Sequence, residues 1–297
     1  YITVDNKKIH VVFYGELEEN TKEFANPEKT TLVMLPALGV PSPNIYFKPI
    51  AENVSSEFNV VIIEPLGYGL SDAASSTRTV DNINAEINKA LEILDIKEGV
   101  LLVHSISGVY GLNFVYSYPE KVKGFVAVDN TVYDEGLSEG MDMEQKYMLQ
   151  EAKKFNDLRN SFSSVEEFQK AVSQSPEMYG AMLPEVNGYE YTEVDRQEYI
   201  RAFSRSNNET IMDEINQMDE SLLTIKDQKF PDNLPVLTMI SKDNVDAMPA
   251  GETGHRNQLN FKTGKHDMFI LEGSHYIWYT NLLGIVDHIC EWKIENC

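Results

Sequence analysis

The chain has 297 residues, of which 42% are hydrophobic, and a formal net charge of −22 at pH 7. A chain of this length can bury a large core, either as one α/β domain or as such a domain with an insertion. The negative charge opposes binding to phosphates, so we expect neither nucleic acid nor an anionic membrane as partner. The sequence has no run of about 18 apolar residues that would predict a membrane span. It also has no Cys/His cluster with metal-ligand spacing, so we expect neither a metal nor another cofactor.

The first residue is Tyr1 and not methionine, which leads us to expect that a preceding segment was removed. This expectation favours a secreted or cell-envelope protein over a cytoplasmic one. The sequence predicts no particular oligomeric state.

Short apolar runs alternate with amphipathic segments along most of the chain. The predicted strands cover residues 2–4, 9–14, 31–35, 59–63, 100–104, 124–128, 235–240 and 267–271. The predicted helices among them cover residues 50–58, 80–94, 109–118 and 277–294. Strands that are apolar on both faces and alternate with helices indicate an α/β fold with a mostly parallel sheet and helices on both faces.

The alternation stops between residues 131 and 233, where no strand-like run occurs. The helical patterns in this interval cover residues 141–158, 165–172, 194–203 and 210–223. We therefore predict a core made of residues 1–130 and 234–297, with residues 131–233 forming a helical cap, or lid, over the strand ends.

Residues 100–108 combine a buried strand, a tight turn and the start of a helix. Four apolar residues lead into His104 and Ser105, and Ser107 and Gly108 follow. A serine at such a turn presents its hydroxyl at the top of a sheet beside a helix N-terminus, which is the geometry of an activated nucleophile. The same pattern also fits a serine that only caps a helix.

Four segments in chain order resemble motifs of the α/β-hydrolase superfamily. Residues 35–39 stand where that family has its oxyanion loop, and residues 64–72 look like its D-x-x-G-x-G-x-S-D loop. Residues 103–108 look like the nucleophile elbow, and residues 272–275 look like the loop that carries the histidine. The chain is similar in particular to largely uncharacterised bacterial members with a helical cap.

This resemblance implies roles for four residues. Ser105 would be the nucleophile and His275 the base that takes its proton. The backbone N–H groups of Leu38 and Ile106 would stabilise the oxyanion. Val103 is larger than the family's usual residue two positions before the nucleophile, so we expect a distorted turn.

The acid of the triad has two candidates. Asp129 follows the strand after the nucleophile helix, where some branches of the family place their acid. Asp243 follows the next strand, where most members place it, but counting from Pro235 the usual position falls on Asn244. We favour Asp129 and keep Asp243 as the alternative.

The resemblance implies a carboxylesterase-like serine hydrolase that cleaves a small to medium, partly apolar carboxylic ester through an acyl-enzyme. A serine nucleophile argues against dehalogenase and epoxide hydrolase chemistry, since these need a carboxylate in this fold. Two alternatives stay open. One is a non-catalytic ligand-binding protein. Its grounds are Pro36-Ala37 where the family's oxyanion loop has His-Gly, Val103 in the elbow, and Asn244 at the usual position of the acid. The other is a C–C hydrolase or cofactor-free perhydrolase with the same triad.

Overall fold

Eight strands form one sheet in the computed structural model, which describes residues 1–19, 21–133 and 135–296, without the side chains of 135–142, 249 and 250. The strands are β1 (Ile2–Val4), β2 (Lys7–Tyr14), β3 (Thr31–Leu35), β4 (Asn59–Glu64), β5 (Gly99–His104), β6 (Val122–Val128), β7 (Val236–Ser241) and β8 (His266–Leu271). Their order is β1-β2-β4-β3-β5-β6-β7-β8. The pairs β1–β2 and β2–β4 are antiparallel, and all other pairs are parallel. The mostly parallel sheet predicted from the sequence is confirmed.

Twelve α-helices and two short 3₁₀ turns, Pro119–Lys121 and Phe261–Thr263, complete the described part of the chain. The helices are α1 (Pro43–Val54), α2 (Val80–Ile93), α3 (Ser107–Ser117), α4 (Glu135–Asn160), α5 (Val165–Gln174), α6 (Pro176–Tyr179), α7 (Glu193–Phe203), α8 (Glu209–Asn216), α9 (Met218–Leu223), α10 (Lys242–Ala247), α11 (Pro249–Gln258) and α12 (Ile277–Asn296). None of these helices combines the length and the apolar character that a membrane crossing requires.

Both faces of the sheet are covered by helices. On one face, alternate strand residues such as Val33 and Leu35 pack with α2 and α3. On the other face, Leu32 and Met34 pack with α1 and α12. Successive strand residues point to opposite faces, so a strand covered on both sides must be apolar throughout. This packing explains the continuous apolar runs and places the carboxyl ends of β3 to β7 at one edge.

The helix predicted at residues 50–58 begins seven residues earlier, at Pro43. Ser42 caps it by accepting a hydrogen bond from the N–H of Ile45, and proline is well suited to the first helical position. Pro49 lies inside the helix and has no N–H for the Ile45 carbonyl. The hydroxyl of Tyr191 donates to that carbonyl instead, at 3.2 Å. A partner distant in sequence thus lets the helix continue through a proline.

Helices α4–α9, hereafter the helical segment, lie between β6 and β7. The helix predicted at residues 210–223 is in fact two helices, which meet at Gln217. Helices α10 and α11 occupy the region between β7 and β8, for which the sequence led us to predict no helix or strand. The assignment of residues 131–233 as a separate cap stays a prediction, and residue 134 lies outside the described residues.

Polar contacts attach the helical segment to the core at two places. Near α1, Lys48 forms an ion pair with Asp195 at 2.5 Å. Near the loop after β4, the Asn208 side-chain amide donates to the Gly67 carbonyl at 2.7 Å. Because hydrogen bonds and ion pairs depend on direction, these contacts fix the orientation of the segment more narrowly than apolar packing would.

Candidate active site

Ser105 occupies a strained turn between β5 and α3. Its φ of +55° lies in the left-handed region, which residues other than glycine seldom adopt. Its carbonyl accepts hydrogen bonds from the N–H groups of Gly108 and Thr131, both at 2.9 Å. Such strain persists only where neighbouring contacts hold it, and it is concentrated at functional sites. The half-buried Ser105 is therefore held in the geometry expected of a nucleophile elbow.

Helix α3 accommodates the size of Val103, from which we expected a distorted turn. Residue 111, where α3 crosses the strand, is a glycine. A Cβ atom at Gly111 would lie 3.0 Å from Val103 Cγ1 and 2.8 Å from Phe125 Cε2. The missing side chain at position 111 thus provides the room that a small residue at position 103 would otherwise provide.

The structure brings Asp129 and His275 together. Asp129 follows β6, and its Oδ2 lies 2.6 Å from Nδ1 of His275. The other carboxylate oxygen accepts a hydrogen bond from the N–H of Ser241 at 2.7 Å. An Nδ1–H that donates to this carboxylate leaves Nε2 of His275 able to accept a proton. The Asp129 side chain is 4% exposed to solvent, whereas the His275 side chain is 35% exposed.

The surroundings of Asp129 keep it ionised. Burial raises its pKa, but the hydrogen bonds from His275 and from the N–H of Ser241 outweigh burial and hold the pKa below its usual value. A buried carboxylate that stays charged can orient the imidazole and stabilise the imidazolium form.

Asp243 is exposed on α10, and its backbone N–H donates to the Gly273 carbonyl at 3.3 Å. Within the described residues, no hydrogen bond joins its carboxylate to His275. Asn244 faces the site instead: its side-chain amide donates to Asp129 Oδ2 at 2.5 Å and lies 3.4 Å from His275 Nδ1. The structure thus places Asp129, and not the alternative Asp243, beside the histidine. The role of Asn244 was not predicted, although the register counted from Pro235 already pointed to this position.

His104 is hydrogen-bonded to the loop of residues 272–275, which carries His275. Its Nε2–H donates to the carbonyl of His275 at 2.8 Å, and its Nδ1 accepts from the hydroxyl of Tyr46 at 2.6 Å. Burial, together with the nearby His275, lowers the pKa of His104 to about 3, so the ring stays neutral. Two fixed hydrogen bonds on a neutral ring define one tautomer and anchor the backbone of His275.

Two buried histidines, His104 and His255, predict that the stability of the fold depends on pH. Burial lowers the pKa of His255 to about 4, as it lowers that of His104 to about 3. Below the ordinary value of 6.5 the unfolded chain binds protons at these positions and the folded chain does not, so stability falls as pH falls. We expect each histidine to lower the free energy of unfolding by about 1.4 kcal/mol per pH unit between about pH 6 and pH 4.5. Urea denaturation at several pH values measures this slope.

The substitution His255→Gln removes one of these two groups and should make the slope shallower by about one proton. An unchanged slope in this variant would show that His255 is protonated in the folded chain or that its pKa is not lowered.

The two predicted oxyanion donors lie on separate elements. Leu38 is in the loop after β3, and Ile106 immediately precedes α3. Within the described residues, neither backbone N–H donates a hydrogen bond to the protein. The hydroxyl of Ser107 donates to the Pro36 carbonyl and thereby ties the loop to the start of α3. Both N–H groups thus have no hydrogen-bond acceptor among the described residues.

Two cavities border Leu38 and Gly39. The larger, of about 540 Å³, lies against the helical segment and includes the apolar side chains of Met148, Phe155 and Ile211. The smaller, of about 220 Å³, is lined in part by four tyrosines. These tyrosines are Tyr46, Tyr199, Tyr276 and Tyr279. The larger volume lies within the range of small-molecule binding sites. In the described part of the chain, no group of three or more His, Cys, Asp or Glu could hold a metal ion.

Comparison with known proteins identifies related chains. A family model described as the alpha/beta hydrolase fold matches residues 30–183. The uncharacterised protein YbdG of Bacillus subtilis is 27% identical over 133 residues, which are 43% of this chain and 36% of that protein. A 2-(acetamidomethylene)succinate hydrolase of Mesorhizobium japonicum is 24% identical over 121 residues, 41% of this chain and 43% of that enzyme. The chain thus spans less than half the length of these curated relatives.

Among solved structures, Cfl2 of Burkholderia cenocepacia superposes with a TM-score of 0.66 at 16% identity. The superposition covers 98% of this chain and 94% of Cfl2. At this level of identity the likeness concerns the fold.

Proposed function

Because this chain belongs to the α/β-hydrolase family, we propose that it cleaves carboxylic esters through a covalent acyl-enzyme on Ser105. The observation that carries the proposal is the 2.6 Å contact between Asp129 and His275, whose carbonyl accepts a hydrogen bond from His104, the residue before Ser105. Ser105, Asp129 and His275 follow the chain order nucleophile, acid, base, which is typical of this fold. A serine without an adjacent base is unreactive, and in the proposed mechanism His275 is that base.

The proposed reaction has two halves. His275 Nε2 takes the proton of Ser105 Oγ as the oxygen attacks the ester carbonyl, and the N–H groups of Leu38 and Ile106 bind the oxyanion. The tetrahedral intermediate expels the alcohol, which receives the proton from His275. Water then gives a proton to His275 as it attacks the acyl-enzyme. The second tetrahedral intermediate releases the acid, and His275 returns that proton to Ser105 Oγ. Asp129 stabilises the imidazolium that forms in each half.

The surroundings favour an uncharged, partly apolar substrate of small to medium size. The larger cavity offers apolar side chains from α4 and α8, and the smaller one combines aromatic rings with hydroxyl groups. The net charge of −22 disfavours polyanionic substrates.

A fluorophosphonate probe tests the proposal directly. We expect covalent labelling of the wild type, with the modified peptide containing Ser105, and no labelling of Ser105→Ala. A series of p-nitrophenyl esters with acyl chains of increasing length then measures turnover. If the folded wild type is not labelled and its turnover equals that of Ser105→Ala, the chain is a ligand-binding protein without this chemistry. Labelling without turnover of any ester would instead point to a C–C hydrolase or perhydrolase, which use the same triad.

A further inference from the structure

Glu214 is a buried carboxylate that the proposed mechanism does not use. It lies on α8 of the helical segment and is 1% exposed. Its Oε1 accepts two hydrogen bonds, one from the hydroxyl of Tyr68 at 2.7 Å and one from that of Tyr110 at 2.9 Å. Tyr68 belongs to the loop after β4, and Tyr110 belongs to α3. A single oxygen from the helical segment thus joins two elements of the core.

Each of these tyrosines leads to one of the two oxyanion donors. The hydroxyl of Tyr68 also accepts a hydrogen bond from the N–H of Gly39 at 3.4 Å, and Gly39 directly follows Leu38. Tyr110 lies four residues after Ile106, which is about one helical turn along α3. The carboxylate of Glu214 therefore connects the loop of one donor with the helix of the other.

A buried arginine completes this cluster. Arg78 Nη1 donates to Glu86 at 2.6 Å, and Arg78 Nε lies 3.7 Å from Glu214 Oε2. Burial raises the pKa of Glu214, and the charge of Arg78 together with the two hydroxyl donors acts in the opposite direction. Buried ion pairs add little stability compared with apolar residues of similar size. The cluster is therefore better explained by the geometry it fixes than by stability alone.

We propose that Glu214 is a positioning residue that sets the separation of the Leu38 and Ile106 N–H groups. The oxyanion hole is then complete only when α8 is seated on the core. This inference rests on the proposed function, because it assigns a role within that reaction. Oxyanion donors act only when they lie about 2.7–3.1 Å from the developing charge. Displacement of one donor relative to the other therefore lowers the rate of the chemical step and leaves substrate binding largely intact.

The test removes single hydroxyl groups, which disturbs folding less than replacement of Glu214 itself. We expect Tyr68→Phe and Tyr110→Phe each to lower kcat about tenfold and to leave KM within twofold, with rates expressed per fluorophosphonate-labelled site. The affinity for a trifluoromethyl ketone that forms a tetrahedral adduct should weaken by the same factor as kcat. Because both hydroxyls bind one oxygen, the double variant should lose less than the product of the two single effects.

The matched control is Tyr116→Phe, also on helix α3, which removes the hydrogen bond that the Tyr116 hydroxyl donates to the Lys229 carbonyl. It should leave kcat unchanged. Glu214→Gln keeps an oxygen that can accept from both hydroxyls, so it should retain more activity than Glu214→Met. Values of kcat per labelled site within twofold of the wild type in both tyrosine variants would overturn the inference and leave the proposed function standing.

Hydrogen exchange separates the two proposals. The amides of residues 37–40 should exchange faster in Tyr68→Phe than in the wild type, whether or not the protein turns over an ester. A wild type without turnover would refute the proposed function. In that case unchanged exchange in this loop would refute the structural link as well, and faster exchange would support it.

Discussion

We expect replacement of Asp129 by asparagine to lower kcat for a p-nitrophenyl ester by about four orders of magnitude, and the same replacement at Asp243 to leave kcat within about twofold. The reason is the contact between Asp129 Oδ2 and His275 Nδ1 at 2.6 Å. An asparagine amide facing this nitrogen favours the tautomer with the proton on Nε2, which cannot accept the proton of Ser105. In a serine protease the equivalent change costs about 10⁴ in kcat. Steady-state kinetics on the purified variants measures both effects.

Asp243→Asn is a matched control for Asp129→Asn, since both changes remove one negative charge and replace a carboxylate by an amide. Asp243 is exposed on α10, so its replacement tests whether any change of charge near the site is enough. A large loss in Asp243→Asn together with a small loss in Asp129→Asn would assign the acid to the later position and would contradict the geometry of the site.

Replacing Ser105 by alanine removes the nucleophile and should lower kcat by about six orders of magnitude, as the loss of a catalytic serine does in subtilisin. Replacement by glycine should be equally inactive. The two variants should differ in stability, because Ser105 has a φ of +55°. A β-carbon in the left-handed region costs about 1–2 kcal/mol, and glycine does not bear this cost.

We therefore expect the free energy of unfolding of Ser105→Gly to exceed that of Ser105→Ala by about 1 kcal/mol, so that the glycine variant unfolds at a higher urea concentration. Chemical denaturation followed by circular dichroism gives this difference without any substrate. A glycine variant less stable than the alanine variant would mean that the turn is not strained at this residue. Turnover by Ser105→Ala close to that of the wild type would refute the covalent mechanism.

The central strands β3 to β7 were predictable because their residues are largely apolar on both faces. The start of α1 was not, because Pro49 inside a helix is tolerated only through the hydroxyl of Tyr191, far along the chain. Helices α10 and α11 were not predicted, because glycine and proline within this stretch are poor helix formers. In the structure the Ser241 hydroxyl caps α10 by accepting a hydrogen bond from the N–H of Asn244.

The residues of the candidate site were likewise predictable only in part. Ser105 and His275 follow from motifs whose residues are close in sequence. The choice between the two acids depends on which strand end faces His275, and that is a property of tertiary packing. The link from Glu214 to Tyr68 and Tyr110 joins three distant segments, and nothing in the local sequence of α8 distinguishes this glutamate from an exposed one.

The position of Asn244 bears on how the acid of such a site can move during evolution. A carboxylate at 244 would face the imidazole as the present amide does, 3.4 Å from Nδ1. Two single substitutions, Asn244→Asp and Asp129→Asn, would therefore transfer the negative charge from one strand end to the other. If the change at 129 came first, the intermediate would have no acid. If the change at 244 came first, two adjacent carboxylates would share a proton and one charge would always remain. In the proposed mechanism only the second order keeps a carboxylate beside His275 at every step, so the duplicated acid would be the accessible intermediate.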